Sequence, residues 1–95
     1  MSTTLVVTWR ARAGEEDRIA DILRQMVPAT QAEPGCEHYY AYRSKEDARD
    51  FVLYERYRDD AAFEAHQQTE HFQRWVVNEA IPRLERRVRS FYEDL

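Results

Sequence analysis

The hydrophobic pattern of the chain changes period at Gly14, and that change decides which kinds of fold are open to it. Before Gly14, Leu5, Val7, Trp9 and Ala11 alternate with Val6, Thr8, Arg10 and Arg12, the period of two expected of a strand with one buried face. After it, Ile19, Ile22, Leu23, Met26 and Val27 recur at i, i+3, i+4, i+7 and i+8, a spacing that lines one side of a helix. Glu15, Glu16 and Asp17 open this segment, where a helix N-terminus favours negative charge. Pro28 removes one N–H from the ladder, so a kink or a tightened last turn is expected before the stop at Glu33-Pro34-Gly35.

Two aromatic-rich runs follow, Glu37–Arg43 and Asp50–Tyr57, joined by the polar stretch 44–49. They read as a β-hairpin. On its second strand Phe51, Leu53, Glu55 and Tyr57 share one face, and Val52, Tyr54 and Arg56 the other. Glu55 thus stands among apolar neighbours. Asp59 and Asp60 are natural caps for a second helix with a buried stripe of Phe63, His66 and Gln67. A further stripe, Phe72, Trp75, Val76 and Glu79, starts nine residues after Phe63. At about 100° per residue it falls on the opposite side of a straight helix. One continuous helix cannot bury both, so a break is expected near Gln67–Thr69, with Thr69 capping the next segment and Glu70 in its first turn. Pro82 limits that segment, and Val88–Tyr92 forms the last strand.

The order β-α-β-β-α-β is that of a ferredoxin-like α+β domain: a four-stranded antiparallel sheet with helices on one face, spanning residues 1–95 as a single unit. The scaling of surface with mass gives roughly 5,800 Å² exposed when folded against roughly 16,500 Å² unfolded, enough burial for one modest core. The other sheet face stays open. Whichever residue set of the hairpin it carries, it forms an apolar patch of the size that marks association, so a homodimer through the open sheet face is expected.

The net charge of −4 disfavours non-specific binding to nucleic acid. The short basic run Arg83, Arg86, Arg87 and Arg89, interrupted by Glu85, reads as a solvated strand-and-turn surface. No stretch has the length or apolarity of a membrane span. The N-terminus lacks the basic and apolar regions of a secretory leader, and the single Cys36 cannot pair within the chain. A reducing cytoplasm is the expected compartment.

The segment Glu33-Pro34-Gly35-Cys36-Glu37-x-Tyr39 resembles a recurrent signature of the antibiotic-biosynthesis-monooxygenase domain, quinol-monooxygenase-like members of the dimeric α+β barrel superfamily. So does Phe51-Val52-Leu53-Tyr54-Glu55-x-Tyr57-x-Asp59-x-x-Ala62-Phe63-x-x-His66-x-x-Thr69-x-x-Phe72, and the likeness covers nearly the whole chain. The resemblance implies a dimeric α+β barrel with a pocket between sheet and helices in each subunit. It also implies oxidation of a small phenol or quinol by molecular oxygen, with no metal or flavin cofactor. Such chemistry asks the protein for a base, hydrogen-bond donors for an oxyanion and a dry aromatic enclosure. The family's haem-degrading branch has a tryptophan and an iron-ligating histidine where this chain carries His66 and Val76, so haem degradation is not expected.

His66, on the apolar stripe of the second helix, is the candidate base or proton shuttle, since imidazole ordinarily titrates near neutrality. A histidine held in the core for structural reasons is the alternative. Glu55 is the candidate second catalytic group, because burial raises a carboxyl pKa; a structural partner for Arg10, Arg43 or Arg56 is its plainer role. Trp9, Tyr40, Tyr42, Tyr54, His71, Phe72 and Trp75 are candidate substrate-binding residues, though most of the aromatics must be core. Strand alternation puts Tyr40 and Tyr42 on one face and Tyr39 on the other, so only one set can reach a pocket. His71 lies five positions after His66, not the four of a metal-binding helical pair, and no third ligand stands nearby in sequence. No metal site is expected. His38, beside Glu37, reads as exposed, and Cys36 as packing. Besides the monooxygenase, an acid–base enzyme such as an isomerase acting on a carbonyl compound, and a non-catalytic small-ligand-binding dimer, fit the same residues.

Overall fold

The computed structural model describes all 95 residues, and the elements run β1 (Thr3–Ala11), α1 (Glu16–Gln31), β2 (Cys36–Arg43), β3 (Asp50–Tyr57), α2 (Asp60–Gln67), a π-helix (Phe72–Ala80), one 3-10 turn (Ile81–Arg83) and β4 (Leu84–Tyr92). The strands form one antiparallel sheet in the order β2-β3-β1-β4. This is the split βαββαβ arrangement, with the helices on one face. No helix is long and apolar enough to cross a membrane.

Gly14, in the turn between β1 and α1, takes φ +88°, a left-handed conformation that glycine adopts without steric cost. The Glu16 carboxylate accepts from the Gly14 N–H at 2.8 Å, which ties the turn to the start of α1. From there Ile19, Ile22, Leu23 and Met26 are buried against the sheet. At roughly 1.5–3 kcal/mol for each fully buried side chain, this stripe supplies on the order of 6–12 kcal/mol toward docking α1, as an upper bound. The helix continues through Pro28 for another turn and ends at Gln31.

On the central strands Leu5, Val7, Trp9, Phe51, Leu53, Glu55 and Tyr57 face the helices and are buried. Tyr39 of β2 pairs with Glu55 and faces the same way. The open face therefore carries Val52, Tyr54 and Arg56 of β3 and Tyr40 and Tyr42 of β2. His38 joins them. It is half-buried rather than exposed, its ring packed 4.6 Å from Tyr40 and 4.3 Å from Tyr54.

The helix break lies where the two stripes require it. α2 ends at Gln67, and the Thr69 hydroxyl donates to the His66 carbonyl at 2.7 Å while accepting from the Phe72 N–H at 3.2 Å. Beyond it the winding widens, with the Ile81 N–H bonding back to the Val76 carbonyl five residues earlier. Phe72, Val76 and Ala80 then align toward the sheet, and the last two are buried. π-Helical turns of this kind are uncommon and concentrate near functional sites.

Candidate active site

Glu33 comes from the turn that follows α1. Its carbonyl accepts from the Cys36 N–H at 3.1 Å, and the Gly35 carbonyl accepts from the Arg58 N–H at 2.9 Å. Gly35 lies so close to α2 that a Cβ there would stand 2.4 Å from the Ala62 Cβ. The turn is thereby pressed onto α2, whose own start is fixed by the Asp59 carboxylate accepting from the Ala62 N–H at 2.8 Å. One turn further along α2, His66 is almost wholly buried.

These constraints place Glu33 Oε2 2.8 Å from His66 Nδ1 and 2.6 Å from His71 Nε2. With Glu33 ionised, His66 donates through Nδ1–H, which leaves Nε2 as the nitrogen with the free lone pair. No other hydrogen bond of the protein engages the His66 ring. The ring sits in an aromatic cage, with centroids of Tyr57 and Phe72 each at 5.1 Å and Tyr39 at 5.8 Å.

His66 borders a cavity of ≈ 10 Å³ between sheet and helices, shared with Trp9, Glu55, Phe63, Phe72 and Arg87 among others. That volume holds about one water. Two donors on its wall, Trp9 Nε1 and Arg87 Nε, are buried with no hydrogen-bond partner, and unpartnered buried donors are costly enough to call for a ligand or water. Burial raises the Glu55 pKa from its ordinary value; the Tyr57 hydroxyl, donating to it at 2.7 Å, and the nearby His66 pull only partly the other way. Burial, reinforced by Glu55, likewise pushes the Tyr57 phenol up, so it remains a donor. Burial also draws the Arg87 guanidinium down from its ordinary value. The cavity thus brings together an imidazole, a carboxyl whose pKa is raised by burial and two N–H donors, groups of the kind that take a proton from a hydroxyl and hold the resulting oxyanion.

Of the residues singled out from sequence, Trp9, Glu55, His66 and Phe72 meet at this cavity. His71 stands behind it, holding Glu33. Tyr40, Tyr42 and Tyr54 do not reach it: strand alternation puts them on the open face, 45%, 52% and 39% exposed. Trp75 lies outside the cavity as well, half-buried with the guanidinium of Arg74 4.6 Å from its ring centre. The proposed arginine partners of Glu55 are engaged elsewhere, Arg10 with Asp47 and Asp50 and Arg56 with Glu37 and Asp94.

Three site residues lay outside the sequence reading. Glu33 read only as part of a helix stop, and its proximity to His66 depends on the Gly35–Ala62 approach. Arg87 and Arg89 read as solvated surface, yet both line the cavity. The available signal was their alternation with Val88 and their phase with Phe91, which put them on the helix-facing side of β4; Leu5, Val7 and Trp9 pair with Phe91, Arg89 and Arg87. A larger groove of ≈ 320 Å³ runs between α1 and β2, lined by Leu23, Val27, Pro28, Tyr42 and Phe51 among others. It contains no carboxylate or histidine, so volume alone does not mark the site.

The model of the family described as antibiotic biosynthesis monooxygenase matches residues 2–78. A protein of Mycobacterium tuberculosis named "Putative monooxygenase Rv0793" is 31% identical over 68 residues, which cover 72% of this chain and 66% of that one. The crystal structure of PA3566 from Pseudomonas aeruginosa superposes with a TM-score of 0.90 at 36% identity, covering 99% of this chain and 94% of the other. The structure of Rv0793 superposes at 0.91, covering 100% and 96%, and at 24% identity shows likeness of fold. The chain belongs to the antibiotic biosynthesis monooxygenase family.

Proposed function

We propose that this protein is a cofactor-independent monooxygenase that oxidises a small phenolic or quinol-type aromatic with molecular oxygen. The observation that carries the reading is His66, fixed through Nδ1 by Glu33 and bordering a cavity that also holds the unpartnered N–H groups of Trp9 and Arg87. Family membership supports the reaction class.

In this reading His66 Nε2 takes the hydroxyl proton, and Trp9 Nε1–H and Arg87 Nε–H hold the phenolate oxygen. The electron-rich ring passes one electron to oxygen, and the resulting radical and superoxide combine to form a carbon–peroxide bond. The buried Glu55 carboxyl gives the peroxide a proton and then takes the C–H proton of the peroxidised carbon as C=O forms and the O–O bond breaks; the departing hydroxide takes the proton held by His66, so a quinone and one water leave. Two electrons of the substrate and its two displaced hydrogens account for the reduction of one oxygen atom to water. A cavity of ≈ 10 Å³ must widen to admit a ring. Phe63, Phe72 and Arg89 line the cavity, the last bridged to Gln67 at 3.0 Å, and their rotation would open it. The reading includes a homodimer through the open face, whose Tyr40, Tyr42, Tyr54 and Val88 are each more than a third exposed.

The test is oxygen uptake by chelator-treated protein over a panel of quinols and anthrones. Uptake above the spontaneous rate, lost in His66→Ala, is expected. No uptake across the panel overturns the reading. A second reading, an isomerase on a carbonyl compound, draws on the same pairing of His66 with Glu55, whose carboxyl pKa burial raises; turnover that persists without oxygen distinguishes it.

A further inference from the structure

We propose that Glu33, His66 and His71 form a binding site for one divalent transition-metal cation of the zinc type. The three residues come from separate places in the fold: the turn after α1, the last turn of α2, and the residue before the π-helix. Each offers one ligand atom, and all three atoms lie within 4.8 Å of one another. No other trio of histidine, cysteine or acidic side chains in the chain converges in this way.

The donor set selects the ion. Two imidazoles and one carboxylate suit zinc and neighbouring transition metals, whereas magnesium and calcium take oxygen ligands. Three protein ligands leave a fourth position for water, and the side chains of Glu33 and His71, 12% and 22% exposed, put that position on the solvent side while His66 closes the inner one. Metal–ligand distances of about 2.0–2.2 Å around a tetrahedral centre place ligand atoms roughly 3.3 Å apart. Glu33 Oε2 now stands 2.8 Å and 2.6 Å from the two nitrogens. To reach that spacing the carboxylate must draw back by roughly 0.5–0.7 Å from each, and the two imidazole nitrogens, within 4.8 Å of one another, must close by up to roughly 1.5 Å. As it stands, one carboxylate oxygen accepts from two ring N–H groups. A single cation satisfies the same three lone pairs in place of the two protons.

Coordination through Nδ1 has a consequence for the cavity. A neutral imidazole bound at Nδ1 carries its proton on Nε2, so His66 turns from acceptor to donor on the cavity side. On the catalytic reading above, the metal-loaded chain has lost its base. That consequence rests on the monooxygenase reading; the site itself does not.

The experiment is titration of chelator-stripped full-length protein with zinc by calorimetry, and with cobalt by visible absorption. Expected are one ion per chain at low micromolar affinity or better, and the intense visible bands of four-coordinate cobalt. His71→Ala and Glu33→Gln each weaken binding at least about 100-fold. Glu33→Gln, which keeps the size of the side chain, carries the test should His71→Ala fail to fold. His38→Ala, on the far face of the sheet, leaves binding unchanged. No stoichiometric binding to the wild type up to about 100 µM zinc, or binding that both ligand variants leave within about twofold, overturns the proposal. Metal binding in a protein that shows no oxygen uptake upholds the site and removes only its link to catalysis.

Discussion

Gly35→Ala tests the contact on which the candidate site depends. The new Cβ would stand 2.4 Å from the Ala62 Cβ, where carbon atoms prefer about 3.5–4.0 Å. The turn and α2 must therefore part by roughly 1.1–1.6 Å, because backbone stands behind both atoms. Overpacking of this size costs about 1–3 kcal/mol. In a domain of this length each kcal/mol lowers Tm by about 4–8 °C, so the expected loss is roughly 4–24 °C. The effect is steric, since Gly14 is the residue with positive φ and Gly35 is not. Ala62→Gly supplies the control: alone it costs up to about 1 kcal/mol as a helix glycine, but combined with Gly35→Ala it removes the clash. Urea denaturation of the four proteins gives the coupling free energy, expected at about 0.5–3 kcal/mol in favour of the double variant. A Gly35→Ala Tm within about 2 °C of wild type, or strict additivity, would show that the Gly35–Ala62 approach does not hold the turn against α2.

Further outcomes follow from other residues. Burial raises the Glu55 pKa in the folded state, so the wild type is relatively most stable below the unfolded carboxyl pKa and loses stability as pH rises through the folded one. Glu55→Gln, which cannot ionise, should gain on wild type in urea denaturation as pH rises above the unfolded carboxyl pKa of about 4.3, and a gap that stays constant contradicts the burial argument. The Cys36 thiol is pushed up to about 11 by burial, with Glu33 adding to it; alkylation by iodoacetamide near neutral pH should run about 10-fold or more below free cysteine, and an equal rate would show an accessible thiol. Tyr54→Asp puts a charge in the middle of the open face. Light scattering should show a dimer for the wild type and an affinity at least about 100-fold weaker for the variant, and a monomeric wild type at micromolar concentration removes the dimer from the account.

The fold was legible because its signals are local. The shift from period two to period 3.6 at Gly14 located β1 and α1, and the opposition of the Phe63 and Phe72 stripes located the break that Thr69 caps. The direction of the sheet faces was not. Both faces of the hairpin carry aromatic residues, and only the pairing of Tyr39 with Glu55, both buried, settles which one the helices cover. Glu33 was hidden for a different reason. Its distance to His66 is set by a glycine-to-alanine contact between segments 27 residues apart, Gly35 and Ala62, which leaves no trace in periodicity. Arg87 was hidden by its charge, since an arginine on a strand reads as solvent-facing until the neighbour strand shows that Trp9 lies beside it.

Glu33 Oε2, 2.8 Å from His66 Nδ1, is expected to hold the His66 ring with its proton on Nδ1 and its free lone pair on Nε2. Long-range nitrogen–proton correlation spectra of chelator-treated, nitrogen-labelled protein read this directly, with the ring in its neutral form. Wild type should show His66 as the Nδ1–H tautomer, and Glu33→Ala should shift the population toward Nε2–H. A wild-type His66 that carries its proton on Nε2, or a tautomer ratio that Glu33→Ala leaves unchanged, would show that Glu33 does not set the ring.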